Sequence, residues 1–166
     1  MKKILSTLVV AAISFAAVQT ASAQATATQN VSLAVNAVYK IAVSGNPGPL
    51  TITTGTAGVN TLTSVTDNST SYSITQNVND NLKITAYLDA ALSAGFTLKM
   101  NLASAKGTSA GDVNVSSATS GSAVDLVTAI AKGADATKTI TYTFEADATA
   151  GTLSSTAKVI TLTLTN

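Results

Sequence analysis

Two stretches decide the fold: Leu82-Lys83-Ile84-Thr85-Ala86-Tyr87-Leu88 and Phe96-Thr97-Leu98-Lys99-Met100-Asn101-Leu102. In the first, Leu82, Ile84, Ala86 and Leu88 form one apolar row. In the second, Phe96, Leu98, Met100 and Leu102 do the same. Side chains of a strand alternate between its two faces, so a period of two predicts one packed face and one wet face. That one-sidedness is the mark of an antiparallel sheet. Asp89–Gly95 lies between the two rows and ends in glycine, a turn residue.

The same reading extends in both directions. Ile140, Tyr142 and Phe144 alternate with Thr139, Thr141, Thr143 and Glu145. Ile160, Leu162 and Leu164 alternate with Thr161, Thr163 and Thr165. Weaker strands are expected at Leu50–Thr53, Asn60–Val65, Ser71–Gln76 and Asp112–Val115. Turn residues stand between them: Gly45-Asn46-Pro47-Gly48-Pro49, Gly55, Gly58, Asp67-Asn68, Asn79-Asp80-Asn81, Gly107 and Gly111. The stretch 123–131 fits a strand on Val124, Leu126 and Thr128 or a short helical turn on Val124, Val127 and Ala131; the strand is the preferred reading. Gly107–Gly121, rich in Ser, Thr and Gly, reads as a loose loop or weak edge. The expected fold class is all-β, an antiparallel immunoglobulin-like β-sandwich in a single domain spanning residues 24–166.

The longest alternation is Val31–Val43, with Val31, Leu33, Val35, Ala37, Tyr39, Ile41 and Val43 on one parity. Thirteen residues at about 3.3 Å each exceed an ordinary strand. The preferred reading is two consecutive strands with a kink near Asn36. The alternative is a donor strand, Gln24–Val35, that pairs with the open sheet of a neighbour.

The first residues have the form of an export signal. Lys2 and Lys3 precede an apolar run, Ile4–Val18, and Ala21-Ser22-Ala23 offers a small-x-small cleavage site. The run falls short of the roughly 20 apolar residues of a membrane span. A signal peptide over residues 1–23 is therefore expected, with no membrane span after cleavage. The localisation that follows is secreted, extracellular or cell-surface, with the periplasm as a further compartment. Removing 23 residues from 166 leaves 143, with seven lysines against eight acidic residues.

Composition narrows the chemistry. The chain has no His, Cys, Arg or Trp, and a single glutamate, Glu145. The commonest general base, the thiol nucleophile and the planar anion clamp are missing. No catalytic, cofactor-binding or metal-binding residues stand out, and no enzymatic activity is expected. Without a basic stripe, nucleic acid is not an expected partner.

With the long N-terminal alternation in view, the chain loosely resembles secreted bacterial immunoglobulin-like surface domains and fimbrial subunits. The likeness rests on Gln29-Asn30-Val31-Ser32-Leu33-Ala34-Val35 following the signal directly. It rests also on a Thr-rich, aromatic-poor middle and on the ending Ala150–Thr165, a small-residue turn before an apolar-Thr strand. The chain departs from many chaperone-assembled pilins in lacking a disulfide and a penultimate Tyr. The resemblance implies a structural subunit of a filament, fimbria or matrix that self-associates through its N-terminal strand. The alternative is a non-catalytic binding module for a glycan or a surface protein.

Three further features carry groups with chemical potential. Asp67-Asn68 and Asp80 with Asn77, Asn79 and Asn81 carry oxygens suited to Ca²⁺ but match turn chemistry better. Parity places Tyr39, Tyr72, Phe96, Tyr142 and Phe144 in the core and Tyr87 on the polar face, a thin basis for sugar stacking. Glu145 falls on an outward parity, unsuited to act as the buried acid of a Lys–Asn isopeptide bond, a role that remains open to an aspartate.

Overall fold

The computed structural model describes residues 25–166. The expected signal peptide, residues 1–23, lies outside them. Residues 25–34 have no regular secondary structure and are exposed. Val35–Asn166 form one compact unit.

The fold is all-β and antiparallel throughout. Among the described residues nine strands occur in this order: β1 (Tyr39–Val43), β2 (Val65–Gln76), β3 (Leu82–Leu88), β4 (Phe96–Leu102), β5 (Thr108–Ser109), β6 (Val113–Asn114), β7 (Val124–Ile130), β8 (Gly133–Ala146) and β9 (Ile160–Thr165). One 3₁₀ turn spans Ala148–Ala150. One sheet has five strands in the order β1-β2-β8-β4-β6; the other has four, β5-β7-β3-β9.

The two founding rows meet in one core. Leu82, Ile84, Ala86 and Leu88 of β3 are buried in the same cluster as Leu98, Met100 and Leu102 of β4. Tyr72 and Ile74 from β2, Ile140 and Tyr142 from β8, and Leu126, Val127 and Ile130 from β7 complete it with Leu164 of β9. Gly95 closes the β3–β4 connection at φ 85°, and a β-carbon there would sit 2.5 Å from that of Ala150. Both the torsion and the close approach demand glycine.

Several expected strands differ. Of Val31–Val43, only Tyr39–Val43 pairs with β2; residues 31–38 are irregular and exposed. Tyr39, expected in the core, is 56% exposed. An edge strand with four exposed residues in five buries too little to hold a longer strand. Leu50–Thr53 is not a strand. Asn60–Val65 contributes only the bridges Gly55↔Leu62 and Thr61↔Asp147 before β2 begins at Val65. Asp67-Asn68, expected as a turn, lies inside β2, where the register against β8 shifts between Asp67 and Thr70. The 123–131 stretch is a strand, the preferred reading. The Gly107–Gly121 loop is less loose than expected, because Val115 and Ala118 plug into the core.

Ile84 is fully buried, whereas Thr139 lies on a wet face. Ile84→Ala is expected to cost about 2–5 kcal/mol through lost burial and a residual cavity, and Thr139→Ala about 0.5 kcal/mol or less. Urea denaturation of both variants, compared by midpoint and slope, checks the contrast.

Candidate functional site

Among the described residues one charged side chain is buried, that of Asp135, which is 4% exposed. Its Oδ2 accepts hydrogen bonds from the Ala105 N–H at 2.7 Å, the Lys106 N–H at 3.1 Å and the Ser104 hydroxyl at 3.2 Å. Its Oδ1 faces the Lys138 ammonium at 3.2 Å. Burial alone pushes this carboxyl up. The Ala105 N–H, the Lys138 ammonium, the Lys106 N–H and the Ser104 hydroxyl together outweigh burial and hold it below its ordinary value. Nearby, the Tyr72 hydroxyl donates to the Ala103 carbonyl at 2.7 Å. Burial raises that phenol, and the Asp135 charge adds to the effect.

A local irregularity puts Asp135 inside. Ile140 and Tyr142 set the inward parity of β8, which would place residue 135 outward. Thr137 has φ 54°, and the pairing with β2 slips between Tyr72↔Lys138 and Ile74↔Asp135. The extra residue reverses the parity beyond it. A β-branched residue at positive φ is strained, and the Thr137 N–H is held by the Ser73 hydroxyl at 3.0 Å. The result is a carboxylate that fixes residues 104–106 onto β8. Its oxygens are engaged by four donors, which suits an anchor better than a proton acceptor.

The oxygen-rich loop residues do not converge. Asp67 accepts from the Ser69 hydroxyl at 2.8 Å, the Ser69 N–H at 3.1 Å and the Gly48 N–H at 3.3 Å. The Ser69 bonds hold its carboxyl below the ordinary value. Asp80 accepts from the Lys132 N–H at 2.9 Å, the main cause of its own lowered pKa. Asn79 caps the turn by accepting from the Asn81 N–H at 2.9 Å. These are the hydrogen bonds of turn chemistry. Glu145 pairs with Lys99 at 2.8 Å. Tyr87, expected on the polar face, is half-buried and packs against the core.

Asn77 has a different task. It follows β2, and its Oδ1 accepts from the Val38 N–H at 2.7 Å while its Nδ2 donates to the Asn36 carbonyl at 3.0 Å. The Asn77 N–H donates to the Val38 carbonyl at 2.9 Å. A side-chain amide thus stands in for a peptide unit and extends the β1–β2 ladder back to Asn36. Immediately before this grip lies an uncharged run whose apolar row is in solvent: Val31 is 73% exposed, Leu33 89% and Val35 87%. These three are the large apolar residues that most clearly lack cover. No family model, curated protein or solved structure matches the chain.

The Asp135 anchor has a pH signature. Its folded pKa lies below its unfolded one, so its stabilisation is complete above the ordinary carboxylate value and is lost as pH falls through the folded value. Asp135→Asn is expected to flatten the loss of stability below about pH 4, leaving the contributions of Asp67 and Asp80. Asp135→Ala, which removes the acceptor of four donors, should cost about 3 kcal/mol at neutral pH. Denaturant melts between about pH 2.5 and 7 measure both, and an unchanged acid slope in Asp135→Asn contradicts the assignment.

Proposed function

We propose that this chain is an exported, non-catalytic structural subunit. In this reading it is an immunoglobulin-like sandwich of the fimbrial or matrix kind that self-associates through its N-terminal segment. The observation that carries the reading is the apolar row Val31, Leu33 and Val35, exposed at 73%, 89% and 87%. A contiguous apolar row in water marks an interaction surface. Period-two alternation makes that row ready to join a sheet, because backbone pairing supplies affinity and alternate side chains supply fit.

The strand order supports the sandwich. In immunoglobulin domains strands A, B, E and D are neighbours, and C pairs with F. Here β1, β2, β8 and β4 follow the first order, and β3 pairs with β9 in the manner of the second. The strands β5 and β7, beside β3, are an addition to that plan. The Sec-type leader supports export, and the absence of His, Cys and Arg from the sequence supports a non-catalytic role.

The test is assembly of the secreted, processed protein. Light scattering and negative-stain microscopy are expected to show multimers, and Leu33→Lys should reduce them to monomers. Leu33 is exposed, so the variant's denaturation midpoint should correspond to a change within about 0.5 kcal/mol. A wild-type protein that stays monomeric at all concentrations contradicts the reading.

A further inference from the structure

We propose that the acceptor of the N-terminal segment is the free edge of β9 in a second copy of this chain, and that the occupant is Asn30–Val35. This rests on the self-association reading above and names its partner surface.

The sheets leave four edges, and they differ in how they are protected. The edge strands β5 and β6 are two residues long. β1 has Lys40 at its second position and exposes four of its five residues, so a strand laid beside it covers little. β9 has six residues, none charged, and pairs on one side only, with β3. Exposed edges are ordinarily guarded by charge, proline, bulges or brevity. β9 has none of these.

The core is also left ajar beside β9. Leu164, Leu162 and Ile160 stand opposite Ile84, Ala86 and Leu88. The three β3 residues are buried to 0%, 0% and 1% exposure, and Leu164 to 5%. Leu162 and Ile160, on the same inward face, remain partly exposed. β1 lies against β9, and its Ile41 packs on the core while also remaining partly open. At one end of this seam, Tyr39, Val78, Leu82, Thr165 and Asn166 line an open pocket of about 120 Å³.

Asn30–Val35 fits this edge in length and pattern. It has six residues, as β9 does, and about 20 Å of extended chain. Val31, Leu33 and Val35 fall on one face, to continue the row of Ile160, Leu162 and Leu164. Ser32 and Ala34 fall on the other, beside Thr161 and Thr163. Neither strand carries a charge, so none is desolvated on pairing.

The sequence contains no cysteine, which makes introduced pairs informative. One full-length preparation carries Ser32→Cys; a second carries Thr161→Cys or Thr163→Cys. Mixed and oxidised, they should give a covalent dimer at least tenfold more abundant than mixtures with Ala42→Cys on β1 or Asn114→Cys on β6. Hydrogen exchange of the Ile160–Thr165 amides should slow on assembly. Preferential cross-linking to β1 or β6, or equal yields at every edge, overturns the edge assignment. If Leu33→Lys still abolishes assembly in that case, self-association through the segment stands without it. A bridge within a single chain of Ser32→Cys/Thr163→Cys at high dilution overturns the second-copy claim. Wild-type protein that does not assemble, together with cysteine variants that do not cross-link at any edge, overturns the self-association reading and this one together.

Discussion

β8 is the strand on which the larger sheet depends. It pairs with β2 along nearly its whole length and with β4 from Ile140 to Ala146. Its inward residues must face one core over fourteen positions while the strand twists and its partner changes. Strict alternation would send Asp135 to the surface. The single extra residue near Thr137 turns that carboxylate inward, where backbone N–H groups from residues 105 and 106 and the Lys138 ammonium receive it. The strained torsion is tolerated because the Ser73 hydroxyl and both flanking ladders hold it in place.

β7 solves a similar problem in the smaller sheet. Its pairing with β3 slips between Leu82↔Ile130 and Ile84↔Val127, and Ala129 takes φ 51°. The shift lets Val127 and Ile130 both reach the core, although they stand an odd three positions apart. The two sheets therefore close on one another through local breaks of the rule that formed them. Bulges of this kind increase twist and bend a strand, which helps two sheets enclose a common interior.

The founding rows in β3, β4, β8 and β9 could be read directly, because period-two burial is a property of neighbouring residues. β7 was legible as the preferred of two readings. The misses share a physical cause. Leu50–Thr53 and residues 31–38 alternate like strands, yet no strand among the described residues pairs with them, and only Asn77 holds the backbone at Asn36 and Val38. Alternation states what a segment can do and not whether a partner is present. Tyr39 was misplaced for the same reason. Asp135 was missed because no glycine or asparagine marks the bulge at Thr137, so the parity reversal has no local signature. The exposed N-terminal row was the one candidate site visible in the sequence, as the alternative reading of its alternation. Asn77, which grips the backbone beside it, looked like an ordinary turn residue.

The Asn77 grip also has a mechanical meaning. It pins the backbone at Asn36 and Val38, and Val35, the last residue of the apolar row, is adjacent to the pinned stretch. Copies joined through that row would have no spacer between the joint and the folded body. Tension along such a chain would pass from ladder to ladder, and swivelling about the joint would be suppressed. An assembly built this way would behave as a stiff rod under shear rather than as beads on a slack string.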